Sequence, residues 1–178
     1  MLTKNKFLDA KELAYLLRLC TKYPGRDSLL IKFLLFTGAR GVEALNVRKK
    51  DISDKAVTIY AAKGSNDRTI PLPDHFFSEL SKYIESMDDD ERLFPITTRT
   101  LRFIWGRWRI NPEKGIHAIR HTCAVEIYKK TRDVMFVKEL LGHKSINSSM
   151  VYMSFVESQE RLRSVVNEIY TDPQPVNS

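Results

Sequence analysis

The chain has only two cysteines, Cys20 and Cys123, among its 178 residues. Two are too few for the disulfide framework of a small secreted domain, and neither has a CxxC neighbour that would read as a redox or metal pair. A reducing, cytoplasmic setting fits that scarcity. No uninterrupted apolar run approaches the ~20 residues that would span a bilayer. Asp9, Lys11 and Glu12 fall within the first dozen residues, where a secretory leader would need an apolar stretch. Internal repeats and low-complexity segments are also lacking. Acid is in shorter supply than base: 22 Asp and Glu against 29 Lys and Arg leave a net charge of +7, which favours an anionic partner. A length of 178 residues with 43% hydrophobic side chains is enough for one soluble domain with a real core.

The positive charge is uneven. Between Thr97 and Arg132 there are nine basic residues and two acids, so this segment nets +7, matching the whole chain. Arg99, Arg102, Arg107, Arg109 and Lys114 are its candidate DNA contacts. Phe103, Trp105 and Trp108 are interleaved with them, at a spacing that suits a helix packing face at least as well as base stacking.

Periodicity and punctuation predict a mainly helical chain. Asp9 and Glu12 have the spacing of a capping box, and Leu13, Leu16, Leu17 and Cys20 then follow helical spacing. Pro24-Gly25 breaks that helix. The apolar run Leu29 to Phe36 predicts a buried helix stopped by Gly38, and a short helix follows from Arg40 to Val47. Two strands are expected at 56–60 and 68–72, with a turn at Lys63-Gly64-Ser65-Asn66-Asp67. Asp74 is expected to cap a helix bearing Phe77, Leu80, Tyr83, Ile84 and Met87. Further helices are expected at 98–109, 117–131 and 134–141, then a short one carrying Tyr152 and a final one over 156–170. The tail, 171–178, contains two prolines and is expected to be disordered.

Six residues suggest chemistry by their order. Metal-free cleavage of a phosphodiester needs charge on the non-bridging oxygens, a nucleophile, and an acid for the leaving oxygen. Arg40 and Arg120 suit the first role, because a guanidinium donates two parallel bonds to phosphate and stays charged. Glu43, three residues after Arg40, could orient it; a plain surface ion pair is the competing account. Lys63 at a hairpin turn could serve as acid, or be an ordinary turn lysine. His117 shares a helix face with Arg120 and could accept a phenolic proton. His117 and His121 are also at i, i+4, but Ala118 stands where zinc hydrolase helices carry Glu, and no third ligand follows at a recognisable spacing, so no metal or other cofactor is expected. His121 suits a hydrogen bond within the core. His143, after the helix-ending Gly142, can be aimed into a cleft as a phosphate donor. Tyr152 supplies the phenol.

This joint pattern resembles the tyrosine recombinase (phage integrase) family over nearly the whole chain, as that family's catalytic domain. The resemblance rests on Thr37, Gly38, Arg40 and Glu43; on Lys63, Arg68, Pro71 and Leu72; on His117, Arg120, His121 and Thr122; and on Leu141, Gly142, His143 and Tyr152. It implies a mainly helical fold with a small antiparallel sheet over residues 1–170. It implies that Tyr152 attacks the scissile phosphate to give a 3′-phosphotyrosine and a free 5′-hydroxyl. Arg40, Arg120 and His143 would hold the phosphorane, Lys63 would protonate the 5′-oxygen, and His117 would assist as acid or base, with neither metal nor ATP. The implied partner is double-stranded DNA, with accessory DNA-bending proteins as further candidates, in a prokaryotic nucleoid or encoded by a phage or mobile element. No counterpart of the family's N-terminal clamp domain is expected within residues 1–178. Type IB topoisomerase-like cleavage and a non-catalytic DNA-binding accessory role remain alternatives. Finally, Leu162, Val165, Val166 and Ile169 form one apolar stripe on a polar helix. It must be buried either in its own core or, as the resemblance implies, on a neighbour within a homotetramer through helix 156–170.

Overall fold

The computed structural model describes residues 3–62 and 65–170. Lys63, Gly64 and the expected disordered tail lie outside the described residues. Eight α-helices and a three-stranded antiparallel sheet make up the domain among these residues. None of the helices is long and apolar enough to cross a membrane.

Helix α1 (Ala10–Lys22) opens with the expected box: Asp9 accepts from the Glu12 amide while the Glu12 carboxylate accepts from the Asp9 amide. Helix α2 (Arg26–Thr37) is apolar on nearly every side and runs through the centre, burying Leu29, Leu30, Ile31, Phe33 and Leu34. Gly38 ends it at φ +60°. A Cβ there would come within 2.7 Å of Leu141 Cδ2, so glycine serves both the left-handed turn and a close approach.

The short helix expected over 40–47 is only four residues, α3 (Gly41–Ala44). The chain leaves it because tertiary partners take the backbone: the Val47 carbonyl accepts from Leu93, and the Lys49 amide donates to Glu91. Strands β1 (Ile52–Ser53), β2 (Ala56–Ile59) and β3 (Arg68–Pro71) pair in sequence order, with Val57 opposite both Ile52 and Ile70. The two-residue β1 went unforeseen because its turn is Asp54-Lys55. Both residues adopt positive φ (48° and 58°) without the glycine that normally marks such a hairpin.

Helix α4 (Asp74–Ile84) starts one residue earlier than expected: Pro73 is its cap, and Asp74 pairs with Lys55 at 2.8 Å. Its buried line is Phe76, Leu80 and Ile84, with the expected Phe77 and Tyr83 only half-buried. Helix α5 (Thr98–Trp108) is capped by the Thr97 hydroxyl, and α6 (His117–Thr131) lies between two hydrophobic clusters. The larger gathers α1 to α5 with the sheet. The smaller joins Ala124, Val125 and Tyr128 to Val137, Leu141, Tyr152 and Val156.

After α7 (Val134–Leu141), the expected pair of helices is one continuous helix, α8 (Asn147–Ile169). No glycine or proline interrupts those 23 residues, so nothing breaks the backbone ladder between Tyr152 and the tail. Its first half packs through Ser149, Tyr152 and Val156, while residues 161–170 are all exposed.

Candidate active site

Arg40 caps α3 with extended backbone (φ −70°, ψ 151°), and its amide donates to Glu43 Oε2 at 2.9 Å. Arg40 Nη1 also donates to Glu43 Oε1 at 3.0 Å, while its side chain remains 26% exposed. The Glu43 carboxylate itself is fully covered. Its second oxygen accepts from Arg68 Nη2 at 2.8 Å, and Arg68 Nε reaches the Leu140 carbonyl at 2.8 Å. Glu43 therefore ties α3, β3 and the end of α7 together. Burial alone would raise its carboxyl. The Arg68 hydrogen bond, the Arg40 amide, the Arg68 charge and the Arg40 side-chain hydrogen bond outweigh this and bring it down to about 2.

Arg120 is buried on the first turn of α6. It donates to the Gly38 carbonyl through Nη1 and to the Leu141 carbonyl at 2.8 Å through Nη2. It thus clips together the two left-handed turns that end α2 and α7. Burial and the neighbouring Arg40 charge lower it to about 10, so it stays cationic at neutral pH. Both helix-ending carbonyls lose their water on burial, and Arg120 replaces it.

Gly142 (φ +66°) turns the chain into His143. A Cβ there would meet Asn66 O at 2.8 Å and Ser65 Oγ at 3.0 Å, because the β2–β3 loop docks on this turn. The Asn66 amide donates to the Gly142 carbonyl at 2.9 Å, and Ser65 bridges to His143. His143 Nδ1 lies 2.8 Å from Ser149 Oγ on α8, and burial followed by the Arg120, Arg40 and Arg68 charges pushes its ring down to about 4. Its ring stacks on Tyr152 with centroids 6.5 Å apart and 8° between planes. The Tyr152 hydroxyl lies 3.0 Å from His121 Nδ1. Burial raises the Tyr152 phenol, and Arg120 pulls against it.

Arg40 and Glu43 thus pair directly, His121 and His143 both meet Tyr152, and Arg120 and Arg40 act on His143 and Tyr152 through their charge. His117 begins α6 and is exposed, one turn from His121. Lys63 lies outside the described residues. Among the described residues no group of three or more His, Cys, Asp or Glu could hold a metal. The sequence named Arg68 without its Glu43 partner and missed Ser149 altogether. Arg68 looked like one polar position of an alternating strand, although it stood in the hairpin motif. Ser149 sits six residues past His143 with no spacing signal at all.

The basic segment divides. Arg99, Arg102 and Arg107 are exposed on α5. Arg109 is half-buried and donates to the Lys114 carbonyl at 2.9 Å, beside the Trp105 indole N–H at 2.7 Å. Lys114 does not fit the place expected of it as a DNA contact. It is buried, with its ammonium 2.5 Å from Glu12 Oε2, where it ties the 109–116 loop to α1. Trp105 is a core residue, 2% exposed, so the aromatic spacing marks a packing face; Phe103 alone of the three is largely exposed.

Residues 6–158 match the model of the phage integrase family. The chain belongs to that family. Among curated relatives, this integrase-family chain is 33% identical over 184 residues to the tyrosine recombinase XerH of Campylobacter jejuni, covering 94% of this chain and 51% of the relative. It is 30% identical over 173 residues to the tyrosine recombinase XerA of Pyrococcus furiosus, covering 84% and 57%. The chain therefore spans about half the length of the curated relatives it matches. Among solved structures, a post-cleavage complex of XerH on a palindromic difH substrate superposes with a TM-score of 0.73 at 27% identity, over 93% of this chain and 53% of that one. The catalytic domain of bacteriophage HP1 integrase superposes with a TM-score of 0.68 at 25% identity, over 95% of this chain and 99% of that domain. The mainly helical fold with a small three-stranded sheet is the fold of these catalytic domains.

Proposed function

We propose that this chain is the catalytic domain of a site-specific DNA recombinase that breaks and rejoins strands through a 3′-phosphotyrosine. The observation that carries the reading is the joining of residues far apart in sequence into one cluster: the Tyr152 ring lies on His143, and Arg120 and Arg40 exert their charge on both. Tyr152 Oη attacks the phosphorus as the P–O5′ bond breaks. The phenolic proton leaves to a base, for which His117 is the candidate, and Lys63 gives a proton to the departing 5′-oxygen. Arg40, Arg120 and His143 carry the charge on the non-bridging oxygens, which is work a metal would otherwise do. Glu43 fixes Arg40. The phosphate ester keeps the bond energy, so attack by a second 5′-hydroxyl rejoins the strand without ATP.

The partner is double-stranded DNA, met partly through Arg99, Arg102 and Arg107 on α5. Helix α8 carries the contact between subunits of a homotetramer on DNA. The exposure of Leu162, Val165, Val166 and Ile169, at 44–64%, supports burial on a neighbour rather than in cis. Accessory DNA-bending proteins are further partners in this reading, and the setting is the cytoplasm of a prokaryotic host, at its nucleoid or on a mobile element. The test starts with duplexes selected by the protein from a random-sequence pool. A nick introduced near the scissile position traps the intermediate. A covalent protein–DNA adduct that forms in EDTA supports the reading, and adduct formation that requires zinc or magnesium contradicts it.

A further inference from the structure

The Tyr152 hydroxyl is bonded to His121, while His117, one turn earlier on α6, is exposed. The two rings lie 5.8 Å apart with a 49° tilt, and Tyr152 is only 3% exposed. Arg40 by contrast keeps 26% of its side chain in the open. A phosphodiester within duplex DNA meets a protein at its surface. A hydroxyl held inside the domain must move outward, or lose its cover, before it can reach that phosphate.

We propose that His121 is a positioning latch, whose hydrogen bond parks the Tyr152 hydroxyl inside the domain and is broken when the tyrosine is presented to DNA. The inference rests on the reading of Tyr152 as the nucleophile. The chemistry of the pair separates a latch from a general base. Burial, then the charges of His117, Arg120 and Lys6, push His121 down to about 4, whereas burial raises the Tyr152 phenol above its ordinary value of 10. Both shifts make passing the proton from Tyr152 to His121 strongly unfavourable. A neutral imidazole with its proton on Nε2 can instead accept the phenolic O–H at Nδ1 and hold it. Such a bond restrains the side chain without consuming the nucleophile.

Two readouts on the full chain test the latch. The first is nitration by tetranitromethane, mapped to Tyr152 by peptide mass and referred to Tyr60 and Tyr170, which are 62% and 77% exposed in the same molecule. The second is the single-turnover rate of adduct formation on the selected nicked duplex at saturating protein. In wild type, Tyr152 should nitrate far more slowly than Tyr60 or Tyr170. His121→Leu should speed both nitration of Tyr152 and adduct formation roughly 2- to 10-fold, the range set by one neutral hydrogen bond. His121→Asn, which keeps a polar atom near the Nδ1 position, should restore protection from nitration. An adduct rate unchanged or slowed in His121→Leu, with wild-type duplex binding, overturns the latch. So does rapid nitration of Tyr152 in wild type, a readout that needs no variant. Should the leucine variant fail to fold by thermal melting, His121→Ala carries the same two expectations. Absence of any adduct from wild type removes the nucleophile assignment itself, a failure distinct from an adduct that forms but does not speed up.

Discussion

Replacing Glu43 by glutamine perturbs the support of the phosphate-binding cluster at its centre. The Glu43 side chain is fully covered and accepts from the Arg40 amide, Arg40 Nη1 and Arg68 Nη2 at 2.8–3.0 Å. Glutamine keeps the shape and one acceptor oxygen, but turns an N–H donor toward one guanidinium and removes the charge that compensates Arg68, itself 6% exposed. Removing one partner of a buried ion pair costs roughly 3–5 kcal/mol; the retained oxygen puts this substitution near the lower end, at about 3 kcal/mol. For a domain of this length, that lowers Tm by about 6–12 °C. The pH dependence has a definite sign. The carboxyl sits at about 2 in the fold against an ordinary 4.5, so its contribution is complete above about pH 4.5 and is lost as pH falls toward 2. That contribution is on the order of 3 kcal/mol, in keeping with the substitution cost. Glutamine cannot ionise. Urea unfolding of both proteins from pH 7 to pH 3 should show the full gap at neutral pH and a narrowing gap below about 4.5. A gap under ~0.5 kcal/mol at pH 7, the size of an ordinary surface change, or one that stays constant down to pH 3, would mean that the Glu43 carboxylate does not support the cluster.

Gly142→Ala should cost about 1–3 kcal/mol in denaturant unfolding, because its φ of +66° is left-handed and the new Cβ would sit 2.8 Å from Asn66 O; limited proteolysis should then cut the 61–67 loop faster. DNA binding should weaken steeply between ~50 and ~200 mM salt, and Arg99→Ala or Arg102→Ala should each reduce the log–log slope by about 1. A flat salt dependence would mean that α5 does not face the duplex. Truncation after Arg161 removes the exposed stripe but keeps Val156 and the Glu157 and Glu160 contacts to Tyr128 and Arg132. It should leave folding and DNA binding intact and abolish tetrameric complexes in sedimentation on the selected site. Tetramers that persist would exclude the role of α8 between subunits.

Local chemistry explains which parts were legible. The Asp9–Glu12 box, the all-round apolar α2, and the glycines that end α2 and α7 are encoded within a few residues, and each of these elements formed where the sequence put it. The misses are tertiary. Helix α3 ends early because Leu93 and Glu91 claim the backbone beyond it. The turn at Asp54-Lys55 holds positive φ without a glycine to announce it. Lys114 looked like one more charge in a basic run, and only the position of Glu12, 102 residues away, reveals it as an internal tie. The site followed the same rule. Its charged and aromatic members were visible as motifs, whereas Ser149 and the pairings of Arg68 with Glu43 and of His121 with Tyr152 depend on segments meeting in space.

The most direct measurement is the chemical identity of the trapped intermediate. Adduct formed on the selected nicked duplex should be digested, the modified peptide sequenced by mass spectrometry, and the DNA ends of the broken strand labelled. The expected product is one phosphopeptide, containing Tyr152, joined to a 3′-phosphate, with a free 5′-hydroxyl on the departing strand. Tyr152→Phe should bind the same duplex with near-wild-type affinity and give no adduct. Attachment through another residue, a 5′-phosphate linkage, or an adduct surviving in Tyr152→Phe would contradict cleavage through a 3′-phosphotyrosine at Tyr152.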